Sequence, residues 1–242
     1  MNLLKDRRVA VVALVLFLSL LGTGAIAGYY YYEGVNYVTT EDARVTADTV
    51  TVTPEIAGRL VEWNVRESDR VKAGQLLGRQ DLESVLTSST TGPQALGAAA
   101  AVMAAKAEIR APISGEVIQS KAVVGALVSA GTPLAVVADT DHAYISANIK
   151  ETKIDQVKVG QRVDVHLDAY PGKTFVGRVA SIGRATTSVF SLLPSQNSGE
   201  NYIKVTQVIP VKIVLVDVGE LKLLPGMSAT VRIHIKSQPA QE

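Results

Sequence analysis

The sequence predicts a mainly β protein held to a membrane by one N-terminal transmembrane helix. Its globular part should be a flattened sandwich of two repeated halves, a short helical segment between the halves, and a small β-barrel. Three observations predict this. An uncharged run of twenty residues, Val9 to Gly28, opens the chain. Val, Ile and Thr, which suit pleated and half-buried surfaces, recur throughout the sequence after residue 35. A glycine-marked motif occurs twice at an offset of 57 residues.

The bulk numbers fit that class. The chain has 242 residues, 47% apolar and 19% charged, a globular composition with room for an anchor and one or two modest domains. Net charge is +1, and no basic patch interleaved with aromatics stands out, which speaks against nucleic-acid binding. The absence of cysteine excludes disulfides, thiolate metal sites, a cysteine nucleophile and a lipid anchor on cysteine.

Val9 to Gly28 is long enough to cross a hydrocarbon core of about 30 Å as a helix. Lys5, Arg7 and Arg8 precede it and Glu33 is the first charge after it, so the positive-inside rule keeps the N-terminus in the cytoplasm. Tyr29 to Tyr32 read as an interfacial aromatic belt. The competing reading is a signal peptide cleaved after Ala25-Ile26-Ala27. The expected division is a cytoplasmic tail (1–8), an anchor (9–28), a linker and first strand (29–45), sandwich halves (46–81 and 109–139), a short joining segment (82–108), a barrel (140–236) and a tail (237–242).

The repeat pairs Gly58 with Gly115, Val71 with Val128, Gly74 with Gly131 and Leu77 with Leu134. Each copy predicts a strand from its first glycine, a polar turn, and then Val-x-x-Gly turning into a second short strand. The four glycines are expected as structural turn positions. One copy leaves an apolar face uncovered, so two copies stacked as a sandwich bury each other. The halves resemble those of a lipoyl or biotinyl domain, and Ile109-Arg110-Ala111-Pro112-Ile113-Ser114-Gly115 resembles the start of the second half in HlyD-type membrane fusion proteins. The resemblance implies a split lipoyl-like barrel-sandwich hybrid. Lipoyl and biotinyl carriers bear a modified lysine on the joining hairpin. Here the joining segment is residues 82–108, and its only lysine is Lys106, without a Met-Lys-Met or Asp-Lys-Ala motif, so no cofactor is expected.

In that family a long α-helical hairpin joins the halves. Residues 82–108 are too short for one. Leu82 to Leu86 predicts a helical turn, Gly92-Pro93 a break, and the alanine-rich Gln94 to Ile109 a helix of about four turns. So short a remnant speaks against contact with an outer-membrane channel. It is either a naturally short member or a chain whose hairpin has been deleted.

Beyond residue 140 the pattern predicts strands at Ala143–Ile149, Val163–Leu167, Phe175–Ile182, Val208–Val216 and Ala229–Ile235, with turns at Tyr170-Pro171-Gly172-Lys173 and Leu224-Pro225-Gly226-Met227. Three stretches resemble the EmrA-type branch. These are Thr40-Glu41-Asp42-Ala43-Arg44-Val45, Ala147-Asn148-Ile149-Lys150-Glu151-Thr152, and Phe190-Ser191-Leu192-Leu193-Pro194-Ser195-Gln196-Asn197 with Tyr202 to Gln207 after it. The resemblance implies an adaptor for an inner-membrane exporter of major-facilitator type that homo-oligomerises. Phe190, Leu192, Leu193, Gln196 and Asn197 are candidate partner contacts, or else pack on their own barrel.

Residues for chemistry are sparse. His142, His166 and His234 do not sit at zinc-ligand spacing, and no nucleophile elbow, phosphate loop or dinucleotide fingerprint occurs, so no catalytic or metal residues are expected. Glu151 and Asp155 read as solvated, Trp63 as a partly buried strand residue, and Asp42 and Arg44 as a surface pair. The expectation is therefore a non-catalytic efflux adaptor. The alternatives are a membrane-tethered lipoyl or biotinyl carrier and a surface binding module acting alone.

Overall fold

The computed structural model describes residues 7–81, 102–187, 206–216 and 221–236. The chain opens with helix α1 (Arg7–Asn36). Among the described residues, fourteen strands follow: β1 (Tyr37–Thr46), β2 (Thr49–Val52), β3 (Gly58–Trp63), β4 (Arg70–Val71), β5 (Leu76–Asp81), β6 (Glu108–Arg110), β7 (Gly115–Ser120), β8 (Leu127–Val128), β9 (Ala135–Ala138), β10 (Tyr144–Lys150), β11 (Arg162–Leu167), β12 (Thr174–Ile182), β13 (Val208–Leu215) and β14 (Ser228–His234). Two compact units result. One is Met1–Arg44 with Ile145–Leu221 and Met227–Glu242; the other is Val45–Tyr144 with Lys222–Gly226.

Helix α1 outruns the anchor expected to end at Gly28. Leu14–Asn36 is long and apolar enough to cross a membrane, with mean hydropathy 1.5 and none of its window buried in the protein. Its few polar groups are satisfied along the helix: the Ser19 hydroxyl donates to Leu16 O and the Thr23 hydroxyl to Ser19 O. No proline interrupts the tyrosines, and the helix stops at Asn36, whose amide donates to Tyr32 O at 2.7 Å. Strand β1 starts at the next residue. The stretch expected as a linker is thus helix followed at once by strand.

The first unit is a closed barrel in the order β1-β10-β13-β12-β11-β14. Period-2 alternation turns Ile145, Ala147 and Ile149, Val163, Val165 and Leu167, and Ala229, Val231 and Ile233 inward, and all are buried. On β1 a bulge between Thr40 and Ala43 shifts the register against β14 and reverses the parity, so Val38 and then Ala43 and Val45 point inside. The expected first strand is therefore a stave of the barrel.

The second unit is a sandwich of two four-stranded sheets, β2-β9-β7-β4 and β6-β5-β3-β8. The 57-residue offset maps one sheet onto the other: β7 onto β3, β4 onto β8, β9 onto β5 and β2 onto β6. The expectation of one half stacked on the other is corrected here. Each half gives two strands to each sheet, because β4 and β8 cross to pair with β7 and β3 of the opposite half, and β2 and β6 likewise pair with β9 and β5. Leu60, Leu77, Val117, Val137, Ile109 and Leu134 fill the core between the sheets.

Backbone bonding repeats as well. Leu60 N donates to Ala126 O at 2.9 Å and Val117 N to Asp69 O at 2.9 Å; Gly74 N donates to Ala111 O at 2.8 Å and Gly131 N to Pro54 O at 3.0 Å. The alanine-rich segment ends earlier than expected. Residues 102–107 are helical, but Glu108–Arg110 forms β6 on β5, where Ile109 is buried. Pairing and burial override local helix propensity there.

Candidate functional site

The four repeat glycines divide into two kinds. Gly74 and Gly131 adopt φ +80° and +81°, as turn residues in the left-handed region. Gly58 and Gly115 lie outside that region and start β3 and β7, so their turn role is corrected to one of close approach. A Cβ on Gly115 would overlap the Ala138 carbonyl oxygen and lie 2.7 Å from its carbon, whereas on Gly58 it would meet Asp81 O at 3.0 Å. Sequence reasoning missed a further equivalent pair, Ser68 (φ 73°) and Gly125 (φ 90°). The serine hid the correspondence. Trp63 is half-buried as expected, and its indole N–H donates to the Ser120 hydroxyl at 3.1 Å, joining positions 57 apart across the repeat.

Lys106 lies in the helical stretch before β6, its ammonium 3.7 Å from Glu55 Oε2. A cleft of about 430 Å³ opens elsewhere on the sandwich, lined by Arg70, Val71, Lys72, Gln75, Ser114 and Asp141 among others. Arg70 spends its charge on Asp141 at 2.6 Å. On the outer face of β7, the buried Glu116 binds Lys222 Nζ at 2.8 Å.

Among the described residues, a polar cluster lies where α1 meets the barrel. Arg232 on β14 reaches back to Glu33 of the helix at 3.1 Å and lies 3.8 Å above the Tyr37 ring. Tyr37 packs edge-on against His234, with centroids 4.9 Å apart, and His234 Nε2 meets Asp164 Oδ2 at 2.6 Å. Burial acts to raise the Asp164 pKa, but the hydrogen bond and charge of His234, with Arg162 beside it, outweigh this and hold the carboxyl below the usual range. These groups bond side chain to side chain within the barrel and its helix, and none of them forms a nucleophile–base pair.

The other histidines are likewise engaged: His142 Nδ1 with Asp139 at 2.8 Å and His166 Nε2 with the Thr174 hydroxyl at 3.0 Å. Among the described residues no group of three or more His, Asp or Glu is placed to hold a metal. Asp42 receives the Asn148 amide at 2.9 Å and lies 3.7 Å from Arg44. Phe190, Leu192, Leu193, Gln196 and Asn197 lie outside the described residues.

Comparison with known proteins decides the family. Residues 48–140 match the barrel-sandwich hybrid domain of RND membrane fusion proteins, and residues 142–234 match the AAEA-like beta-barrel domain. The efflux system component YhbJ of Bacillus subtilis is 37% identical over 201 residues, 83% of this chain and 81% of that protein. The chain belongs to the HlyD/EmrA-type membrane fusion proteins.

These are the membrane-anchored adaptors of efflux systems. The multidrug export protein EmrA of Haemophilus influenzae is 40% identical over 133 residues, 54% of this chain but 34% of EmrA, so the chain spans about a third of that relative. The solved MacA–MexA chimera carrying the Pseudomonas aeruginosa MexA α-hairpin shares the fold, with TM-score 0.62, 20% identity, and coverage of 84% of this chain and 81% of the chimera.

Proposed function

We propose that this membrane fusion protein is a non-catalytic adaptor that binds an inner-membrane exporter of major-facilitator type and supports efflux of drugs or other small molecules. The observation that carries the reading is the unbroken passage of α1 into β1. It ties the barrel to the membrane in which an exporter resides. The N-terminus lies in the cytoplasm and the two units outside, by the charge asymmetry around α1. The protein assembles with copies of itself around the exporter.

Residues Phe190 to Asn197 contact the exporter or a neighbouring copy. Supporting this, the described residues on either side of that stretch, Thr187 and Thr206, follow the end of β12 and precede the start of β13, both at the barrel end nearest α1. The joining segment is naturally short; the alignment with YhbJ over 83% of this chain and 81% of that protein supports this reading. An adaptor this short makes no contact with an outer-membrane channel.

The test is co-purification of the full-length protein from its native membrane in mild detergent, with cross-linking and mass spectrometry. A polytopic exporter in near-stoichiometric amount is expected. Recovery of the protein alone across several detergents would favour a surface module acting by itself, and a lipoyl or biotinyl mass on Lys106 would favour a carrier.

A further inference from the structure

The barrel has two ends, and strand direction tells which one meets the bilayer. β1 begins at Tyr37, directly after α1, so the start of β1 marks the membrane-side end. Tracing the antiparallel pairings round the barrel, that end also holds the last residues of β10, β12 and β14 and the first of β11 and β13. Its rim is therefore Lys150, the 3₁₀ turn Glu151–Gln156, residues 157–161 and 182–187, and the end of β14 with Lys236.

This rim is basic. Lys150, Lys153, Lys158, Arg184 and Lys236 lie on it, and none takes part in the ion pairs of the described residues. Only Glu151 and Asp155 oppose them there without a partner of their own, leaving a surplus of three positive charges. Val159 stands among the lysines with 55% of its surface exposed. The opposite rim carries Glu41, Asp42 and Asp168 against Arg44 and Lys173, a surplus of one negative charge.

Distance makes the asymmetry useful. From Gly28, where the apolar run ends, to Asn36 the helix rises about 12 Å. The headgroup layer occupies about 5–8 Å of that. The rim thus stands about 5 Å beyond the headgroups, inside the Debye length of about 8–10 Å.

We propose that this rim is a second membrane contact, resting on anionic phospholipid headgroups around the anchor. Lys150, Lys153, Lys158 and Lys236 supply the charge, and Val159 dips towards the interface. The contact holds the barrel upright on the bilayer and needs no exporter. It rests on the reading of α1 as a membrane anchor and is independent of the adaptor reading.

The chain has no cysteine, so single labels are clean. Full-length protein bearing Gln156→Cys with a fluorophore is placed in nanodiscs containing headgroup-quencher lipid. The discs hold either phosphatidylcholine alone or a mixture with phosphatidylglycerol, and no exporter is present. Quenching is expected in the anionic discs, to be lost at high salt, and to be absent for a Lys173→Cys label on the opposite rim. Each neutralised lysine lowers the ratio of apposed to lifted barrel about fivefold, so Lys150→Gln, Lys153→Gln and Lys158→Gln together should lower that ratio about 100-fold. An unchanged circular-dichroism melt checks that the variants remain folded. Equal quenching in both lipids, or quenching that survives the triple substitution, overturns the proposal. Quenching that appears only after an exporter is co-reconstituted also overturns it and assigns the rim to that protein.

Discussion

Gly58 and Gly115 are equivalent in the repeat, yet their replacement by alanine should have very different consequences. At Gly115 the new Cβ would overlap the Ala138 carbonyl oxygen and sit 2.7 Å from its carbon, about 1 Å inside an ordinary carbon–carbon contact. Both obstacles are backbone, so β7 and β9 must part. The pairs Glu116 with Ala138 and Val117 with Val137 lie immediately beside the clash, and both valines are fully buried. Loss of two ladder bonds at about 1 kcal/mol each, with loosened packing at Val117 and Val137, puts Gly115→Ala at about 3 kcal/mol or more. At Gly58 the nearest atom, Asp81 O, is 3.0 Å away, and the next two belong to the Gln80 side chain. A shift of a few tenths of an ångström suffices there. The alanine also reduces unfolded-chain entropy, a gain of about 0.4–1 kcal/mol, so Gly58→Ala should be nearly neutral. The assay is denaturant unfolding of the full-length protein in detergent, followed by Trp63 emission. Trp63 is the only tryptophan, and it bonds Ser120 on β7, so it reports on the sandwich. Equal midpoints for the two variants would refute the close-approach argument.

The cluster at the foot of the barrel gives two more expectations. Asp164→Asn should lower barrel stability by about 1–2 kcal/mol at neutral pH, through loss of charge-assisted bonding to His234 and Arg162. Because the folded carboxyl titrates below its unfolded value of about 3.9, that contribution is present above pH 4 and fades as pH falls through the folded value. Circular dichroism melts of wild type and variant should therefore converge in acid, and a gap constant with pH would contradict the assignment. At the junction itself, a double-mutant cycle on Glu33→Gln and Arg232→Ala should give a coupling of about 0.5–1 kcal/mol for this third-exposed pair. Arg232→Ala should cost more than Glu33→Gln, since it also removes the cation over Tyr37; equal costs would show that the ring contact adds nothing.

The sequence by itself determined what depends on local chemistry. An uncharged run bordered by cations marks α1, period-2 alternation marks the strands of the barrel, and the turn glycines Gly74 and Gly131 need a left-handed backbone that few other residues accept. The absence of a carrier motif around Lys106 and the brevity of residues 82–108 were equally plain in the letters. Where the helix ends, and that β1 closes the barrel, depended on pairing with β14, nearly two hundred residues away. Gly58 and Gly115 look like turn residues in sequence, but their role comes from carbonyls on neighbouring strands, Asp81 O and Ala138 O. The exchange of strands between the two sheets was hidden because a two-residue strand such as β4 or β8 carries no periodicity to read. The cluster of Glu33, Tyr37, Asp164, Arg232 and His234 was hidden because three separated segments meet only when the barrel closes. Propensity and periodicity act over a few residues and can be read along the chain, whereas register and close approach are properties of pairs that only the folded chain brings together.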